Sequence, residues 1–329
     1  MDIKKIIGYG LLLALALYAP RVVYPVFLMK IYCFALFACA FNLLIGFTGL
    51  LSFGHAAFFG GAGYIAGYAL QTLGLPTEIG LIAGTAAGAL IGLVMGSLAI
   101  RRQGIYFTMI TLALAQMLYF VCLQMPFTGG EDGLQGVPRG YLLGKLIDLS
   151  NDMHLYYVVL AIVVAGLILI VRTVSSPFGQ VLKAIKENEP RAISLGYDVN
   201  RYKLLAFVLS AALSGLAGST KTLVLGFATL TDVHWTMSGL VVLMTLVGGL
   251  GTIVGPVVGA LIIIMLENKL GDIGNWLAGV THIEWFNGLG ESVTIVTGFI
   301  FIVCVLAFRR GIVGEISAAL NKRSAPGGS

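Results

Sequence analysis

The chain has 329 residues, 58% of them hydrophobic and 11% charged, with a mean hydropathy of +0.96. A soluble domain carries about 25% charged residues, so composition excludes a water-soluble globular protein and indicates a polytopic membrane protein. The net charge of +5 is no nucleic-acid footprint, because the basic residues gather on one side of the membrane, as counted below.

The N-terminal MDIKK and the apolar run 6–19 share the outline of a secretory signal. No small-x-small cleavage site follows, and Pro20-Arg21 leads into another apolar run, so an uncleaved first span is expected. At about 20 apolar residues per crossing, spans follow at 22–44, 53–73, 79–100, 105–125, 155–171 and 204–225. Two shorter segments, 237–247 and 257–266, flank the glycine-rich GGLGTIVGP, and a last span is expected at 292–308. Some of these can be half-helices, which gives roughly eight to ten crossings in an all-α polytopic fold. The expected organisation is one transmembrane domain over 1–310, with a cytoplasmic loop at 172–203 inside it and a cytoplasmic tail at 311–329.

Charge sets the orientation. Lys4, Lys5, Arg101, Arg102, the six Lys/Arg of 172–203, Arg309, Arg310, Lys322 and Arg323 fall on one side, fourteen of the chain's twenty. Basic loops mark the cytoplasmic side, so both termini are expected there. Lys30 and Lys221 lie in apolar runs near predicted outer ends and are expected to snorkel to the headgroups. No Asp or Glu falls mid-span in this reading, and ion-coupled carriers commonly bury such a group.

Glycines recur at helical spacing: Gly84, Gly88, Gly92 and Gly96, and again Gly251, Gly255 and Gly259, with Ala211, Gly215 and Ser219 spaced alike. Small residues in this pattern let backbones approach closely in lipid, within this subunit or against another. Cys33, Cys39, Cys122 and Cys304 sit in apolar runs, read as buried small hydrophobes without metal-site spacing.

Four stretches hold candidate functional residues. GFTGLLSFGHAAFFGGAGY (46–64), with Asn42 before it, combines Thr48, Ser52 and His55 with close-set glycines. It reads either as a discontinuous helix lining a solute path or as tight packing near the cytoplasmic interface. YFTMITLALAQML (106–118) adds Thr108, Thr111 and Gln116, which line the path or bond back to their own helix. TGGEDGLQGVP (128–138) is a turn-forming outer loop whose Thr128, Gly129, Gly130, Glu131 and Asp132 could also meet an external solute-binding protein.

The fourth stretch, 172–203, is the polar one. Ser176 can cap a helix with Pro177 in its first turn, Pro190 can open a second, and Gly196 can close it in the left-handed conformation. Two capped helices joined at Asn188-Glu189 make a knob, either a solvated topology loop or a docking surface for a motor. No GxxxxGK[ST] phosphate loop is present, so a motor would be another polypeptide.

The segment AIKENEPRAISLGYDVNRYKLLAFVLSAALSGLAGS (184–219) resembles the coupling segment and following helix of permeases in the branched-chain amino acid class of ABC importers. The other three stretches and GGLGTIVGPVVGA (248–260) resemble that LivM-type family in the same order, over about 41–308. The resemblance implies a permease subunit of an ATP-driven importer in a bacterial inner membrane. Its expected partners are a second related permease, two cytoplasmic ATPases that carry ATP and magnesium, and a periplasmic binding protein, with no nucleic acid, no cofactor on this chain and no catalysis by it. It further implies ATPase contacts at Pro177, Lys183, Lys186, Glu187, Asn188, Glu189, Arg191 and Gly196. Branched-chain amino acids are the first expected substrate, with other amino acids, urea or small aromatic acids as alternatives. The competing reading is a self-sufficient secondary transporter or channel for small polar solutes.

Overall fold

A computed structural model describes residues 14–142, 144, 147–281, 298, 299, 302 and 311–315. The predicted spans at 6–19 and 292–308, Cys304 and most of the tail lie largely or wholly outside those residues.

The central post is α1 (Pro25–Thr48). It is apolar around its whole circumference, and from Met29 onward nearly every residue is buried, as expected for a helix with no water-facing side. Pro25 opens it, where a missing N–H costs nothing, and Gly49 at φ +76° ends it. Around it stand α2 (His55–Gln71), α3 (Thr77–Ala99), α4 (Ile105–Gln124) and α5 (Asp152–Ser175). The polar pair α6 (Pro177–Glu187) and α7 (Glu189–Ser194) leads into α8 (Val199–Leu225). A short turn of helix, α9 (Leu230–Val233), precedes α10 (Trp235–Gly248) and α11 (Gly255–Thr281). Among the described residues, α1, α3, α4, α5 and α8 are long and apolar enough to cross a membrane.

The small-residue faces predicted from spacing meet one another. A Cβ on Gly88 would lie 2.9 Å from both Ala211 O and Gly215 Cα, and one on Gly84 would lie 2.0 Å from Ser219 Oγ. The glycine face of α3 therefore seats the Ala211, Gly215, Ser219 face of α8 inside one chain. A Cβ on Gly259 would similarly lie 1.8 Å from Met244 O, so α11 rests on α10. In lipid, such close approach supplies the dispersion contacts that hold helices together.

The ends of the bundle sort into two faces. One carries α6–α7, the 49–54 connection, Arg101-Arg102 and the α10–α11 turn, and Gly311 lies against Gly249 there. The other, the far face, carries 125–151 and 226–234. There β1 (Leu134–Gln135) pairs antiparallel with β4 (Phe227–Ala228), and β2 (Tyr141–Leu142) with β3 (Ile147–Asp148). Arg139 ties this cap to the bundle by donating to Asp152 Oδ1 and to Val224 O, each at 2.6 Å. Asp148 accepts the Ser150 N–H at 2.9 Å, which holds its carboxyl below the usual carboxylate range.

Two expectations are corrected. The last described long helix does not stop at 266 but continues through Glu267, Asn268 and Lys269 to Thr281. These polar residues end an apolar run without ending a helix, because Glu and Lys are good helix formers. Lys221 does not snorkel. It is 5% exposed and pairs with the 4% exposed Asp232 at 2.5 Å. Asp232 also accepts the Thr229 N–H at 3.2 Å and hydroxyl at 3.1 Å. Asp232 lies between the predicted spans rather than within one, and it is carried inward on α9, whose backbone lies directly over Gly60 of α2.

Candidate functional site

The knob forms as its local signals direct. Ser176 accepts the Gly179 N–H at 3.3 Å and caps α6, with Pro177 in the first turn. Asn188 accepts the Arg191 N–H at 3.1 Å and caps α7. The second helix closes with Gly196 N–H on Ile193 O at 2.9 Å and Tyr197 N–H on Ala192 O at 3.2 Å, with Gly196 at φ +87°. Ile185, Ala192 and Val199 form a small core beneath the pair, and the Phe178 and Tyr202 rings stack over it with centroids 5.6 Å apart. Gly179 is required by space, since a Cβ there would lie 2.3 Å from Val174 O. The knob is thus a packed unit rather than a solvated loop.

The charged residues of the knob divide into two groups. Lys186 reaches back to donate to Gly46 O at 2.7 Å, and Lys183 lies over the Phe47 ring at 5.8 Å. Both cations sit at the C-terminal end of α1, where unpaired carbonyls and the helix dipole favour positive charge. Glu189 pairs with the buried Lys203 at 2.7 Å. Glu187 and Arg191 project outward. Beside them stand three exposed apolar side chains that sequence reasoning did not single out: Ile193 (57% exposed), Leu195 (70%) and Tyr197 (41%). The signal was present as the apolar letters in ISLGY after a capped helix, but local rules explain the caps and say nothing of these residues. These three side chains leave apolar surface exposed on an otherwise polar knob.

Directly under Lys186 lies the break between α1 and α2, residues 49–54. Its exposed backbone polar groups are met by side chains from two other helices and from the segment itself. Thr108 on α4 donates to Leu51 O at 2.9 Å, and Thr111 accepts the Phe53 N–H at 3.3 Å. Ser238 on α10 donates to Phe53 O at 2.7 Å and accepts the Ala56 N–H at 2.9 Å. Ser52 accepts the Gly54 N–H at 3.1 Å. Ser210 on α8 donates to Ala40 O at 2.5 Å, which spends its one proton, so His55 Nε2 must donate to Ser210 Oγ across 2.9 Å. Phe41, Phe58 and Phe207 enclose the imidazole.

Asn42 bridges a second break. Its amide donates to Thr252 O at 2.8 Å and accepts the Gly251 N–H at 2.9 Å, tying α1 to the α10–α11 turn. Thr48 bonds back to Leu44 O. The structure thus brings Asn42, Thr48, Ser52, His55, Thr108 and Thr111 together around the end of α1, with hydrogen bonds committed inside the protein. Ser210 and Ser238 belong to the same group and were missed, because a lone serine in an apolar run looks the same as one bonded to its own helix. Gln116 stands apart, about 12 Å further along α4 than Thr108.

On the far face, Thr128 is buried and caps the turn at Met125 O, 2.6 Å away, whereas Gly129, Glu131 and Asp132 are exposed.

Comparison with known proteins converges on one family. The model of the family described as branched-chain amino acid transport system / permease component matches residues 25–309. The high-affinity branched-chain amino acid transport system permease protein LivM of Escherichia coli (strain K12) is 27% identical over 258 residues, 71% of this chain and 60% of that protein. The ribose import permease protein RbsC of Bacillus subtilis (strain 168) is 32% identical over 174 residues, 49% of this chain and 51% of that protein. The matched region spans about 60% of the length of the LivM relatives. Among solved structures, PsaBC from Streptococcus pneumoniae in complex with Fab aligns over 89% of this chain and 95% of that one, at 16% identity and a TM-score of 0.39, too distant to bear on function. With the family match covering nearly the whole chain, this protein belongs to the branched-chain amino acid transport system permease component family.

Proposed function

We propose that the chain is the membrane-spanning permease subunit of an ATP-driven importer, forming half of the path for branched-chain amino acids or related small solutes. It works with a second permease, two ATPases that bind ATP and magnesium, and a periplasmic binding protein, in a bacterial inner membrane with both termini cytoplasmic. Family membership and the LivM relatives support this reading. The observation that carries it is the division of the knob. Glu187, Arg191, Ile193, Leu195 and Tyr197 face outward, while Lys183, Lys186 and Glu189 fasten the knob to α1 and α8.

In this reading the outer group seats in an ATPase, and closure of the ATPases displaces α6–α7 as a unit. Lys186 conveys the displacement to Gly46, next to both backbone breaks, and the two permeases rock between outward- and inward-facing states. Asn42, Thr48, Ser52, His55, Thr108 and Thr111 hold the breaks through that motion, with Gln116 toward the path. Glu131 and Asp132 meet the binding protein.

The alternative, a self-sufficient carrier, calls for a buried charge open to an ion. Lys221 and Asp232 are buried but are satisfied by each other and by Thr229. The test is Leu195→Asp combined with Arg191→Glu. In a chain that still inserts and co-purifies with its second permease, ATPase stimulation and uptake are expected to fall at least about tenfold, in line with loss of an interface anchor. Unchanged stimulation would sink the coupling role.

A further inference from the structure

The far half of the molecule holds a groove of about 1240 Å³ between α3 and α5. It exists because α3 packs on α8 while α5 packs mainly on α1, leaving a gap floored by Ala212, Leu213 and Leu216 of α8. Small side chains, Ala86 and Ala89 on one wall and Ala161, Ala165 and Gly166 on the other, give it depth.

Its lining is graded along the bundle. The ionisable groups, Glu78 and His154, lie at the far-face end beside the β2–β3 ribbon. Below them the lining is apolar apart from Thr85, whose hydroxyl is bonded back to Leu81 O at 2.7 Å, and Tyr157. From Glu78 to Ala89 the groove descends about 16 Å along α3, and from His154 to Leu169 about 22 Å along α5. One leaflet of a bilayer core is about 15 Å deep. Below the groove, α3 continues for about another 15 Å with Leu90, Leu93, Val94 and Leu98 exposed, none of which lines the cavity.

From this gradient and this depth we infer that the groove is a binding site for a phospholipid of the far-face leaflet. The acyl chains lie along the alanine-lined floor, and the headgroup sits beside Glu78 and His154. A transmembrane helix from another subunit would run the full bilayer core of about 30 Å, about twice the depth of the groove along α3. An amphiphile with one polar end and a tail one leaflet long matches both the length and the polarity of the cavity.

The test uses the full chain with its co-purifying subunits in phosphatidylethanolamine–phosphatidylglycerol vesicles. These contain a trace of phosphatidylethanolamine bearing a photoreactive diazirine at mid-chain, and adducts are mapped by mass spectrometry. Adducts are expected to concentrate on the groove walls around Ala86 and Ala161. Filling the groove by Ala165→Phe, which displaces roughly two methylenes of lipid contact, is expected to lower them about tenfold. Leu93→Phe, outside the groove, is expected to leave them unchanged. Ala161→Val provides the same comparison if Ala165→Phe does not insert. Adducts spread evenly over the exposed helices, or a yield unchanged by both Ala165→Phe and Ala161→Val, would each overturn the assignment.

Discussion

Lys221 illustrates what a side chain does when hydrocarbon surrounds it and a partner is within reach. Its ammonium bonds Asp232 and lies 5.2 Å over the Phe227 ring, so the charge is met from two sides. Removing one member of such a pair strands the other in a poorly solvating site. Lys221→Met is therefore expected to cost about 3–5 kcal/mol, and the double change Lys221→Met with Asp232→Leu to restore most of it. Unfolding of the detergent-solubilised chain measures both, and equal losses in the two variants would refute the coupling. Nothing in the local sequence announced this pair. Asp232 reads as an outer-loop residue because it follows the end of an apolar span. Only the fold of 226–234 back over Gly60 puts it inside. Glu267 was misplaced for a related reason, since polarity located the end of an apolar run and not the end of a helix.

At the scale of the elements, glycine does two different jobs, and substitution separates them. Gly196 has open space around it but a φ of +87°, so Gly196→Ala strains only the backbone and is expected to cost about 1 kcal/mol. Gly88 is helical, but its Cβ would lie 2.9 Å from the backbone of α8. Gly88→Ala is expected to force α3 off α8 and cost about 1–3 kcal/mol. Thermal unfolding of the two variants side by side checks the order, and a Gly88→Ala protein as stable as the parent would show the seam to be loose. The caps of the knob were legible because Ser176, Pro177 and Gly196 act within a few residues of themselves, whereas Asn188, which caps the second helix, reads in sequence only as the joint between the two. The clamp on 49–54 was legible only in half. Thr108, Thr111 and Ser52 stand out as polar letters, but that they bond backbone, and that Ser238 completes the set from 185 residues away, depends on how four helices converge.

For the whole molecule, the two faces make the strongest claim about orientation. Single cysteines at Arg191 and Glu131 are expected to react with a membrane-impermeant maleimide from opposite sides, Arg191→Cys only in inverted vesicles and Glu131→Cys only in intact spheroplasts. Labelling of both from the same side would overturn the charge-based orientation. The spans at 22–44, 79–100, 105–125, 155–171 and 204–225 were legible because hydropathy needs no tertiary information, whereas the groove between α3 and α5 arises from which neighbour each helix leans on.

The shortness of α10 bears on how the chain is made. Its 14 residues rise about 21 Å, less than a bilayer core of about 30 Å. Its end turns through Gly249 and Gly251, both at positive φ, with backbone groups answered by Asn42. On leaving the ribosome, α10 has neither the length to settle in lipid alone nor a partner for that turn until α11 follows. The turn finds its partner only at Asn42 of α1, some two hundred residues earlier in the chain. The α10–α11 turn is therefore completed by a helix made near the start of the chain, and a product truncated before α11 would leave a short helix with its closing turn unpartnered.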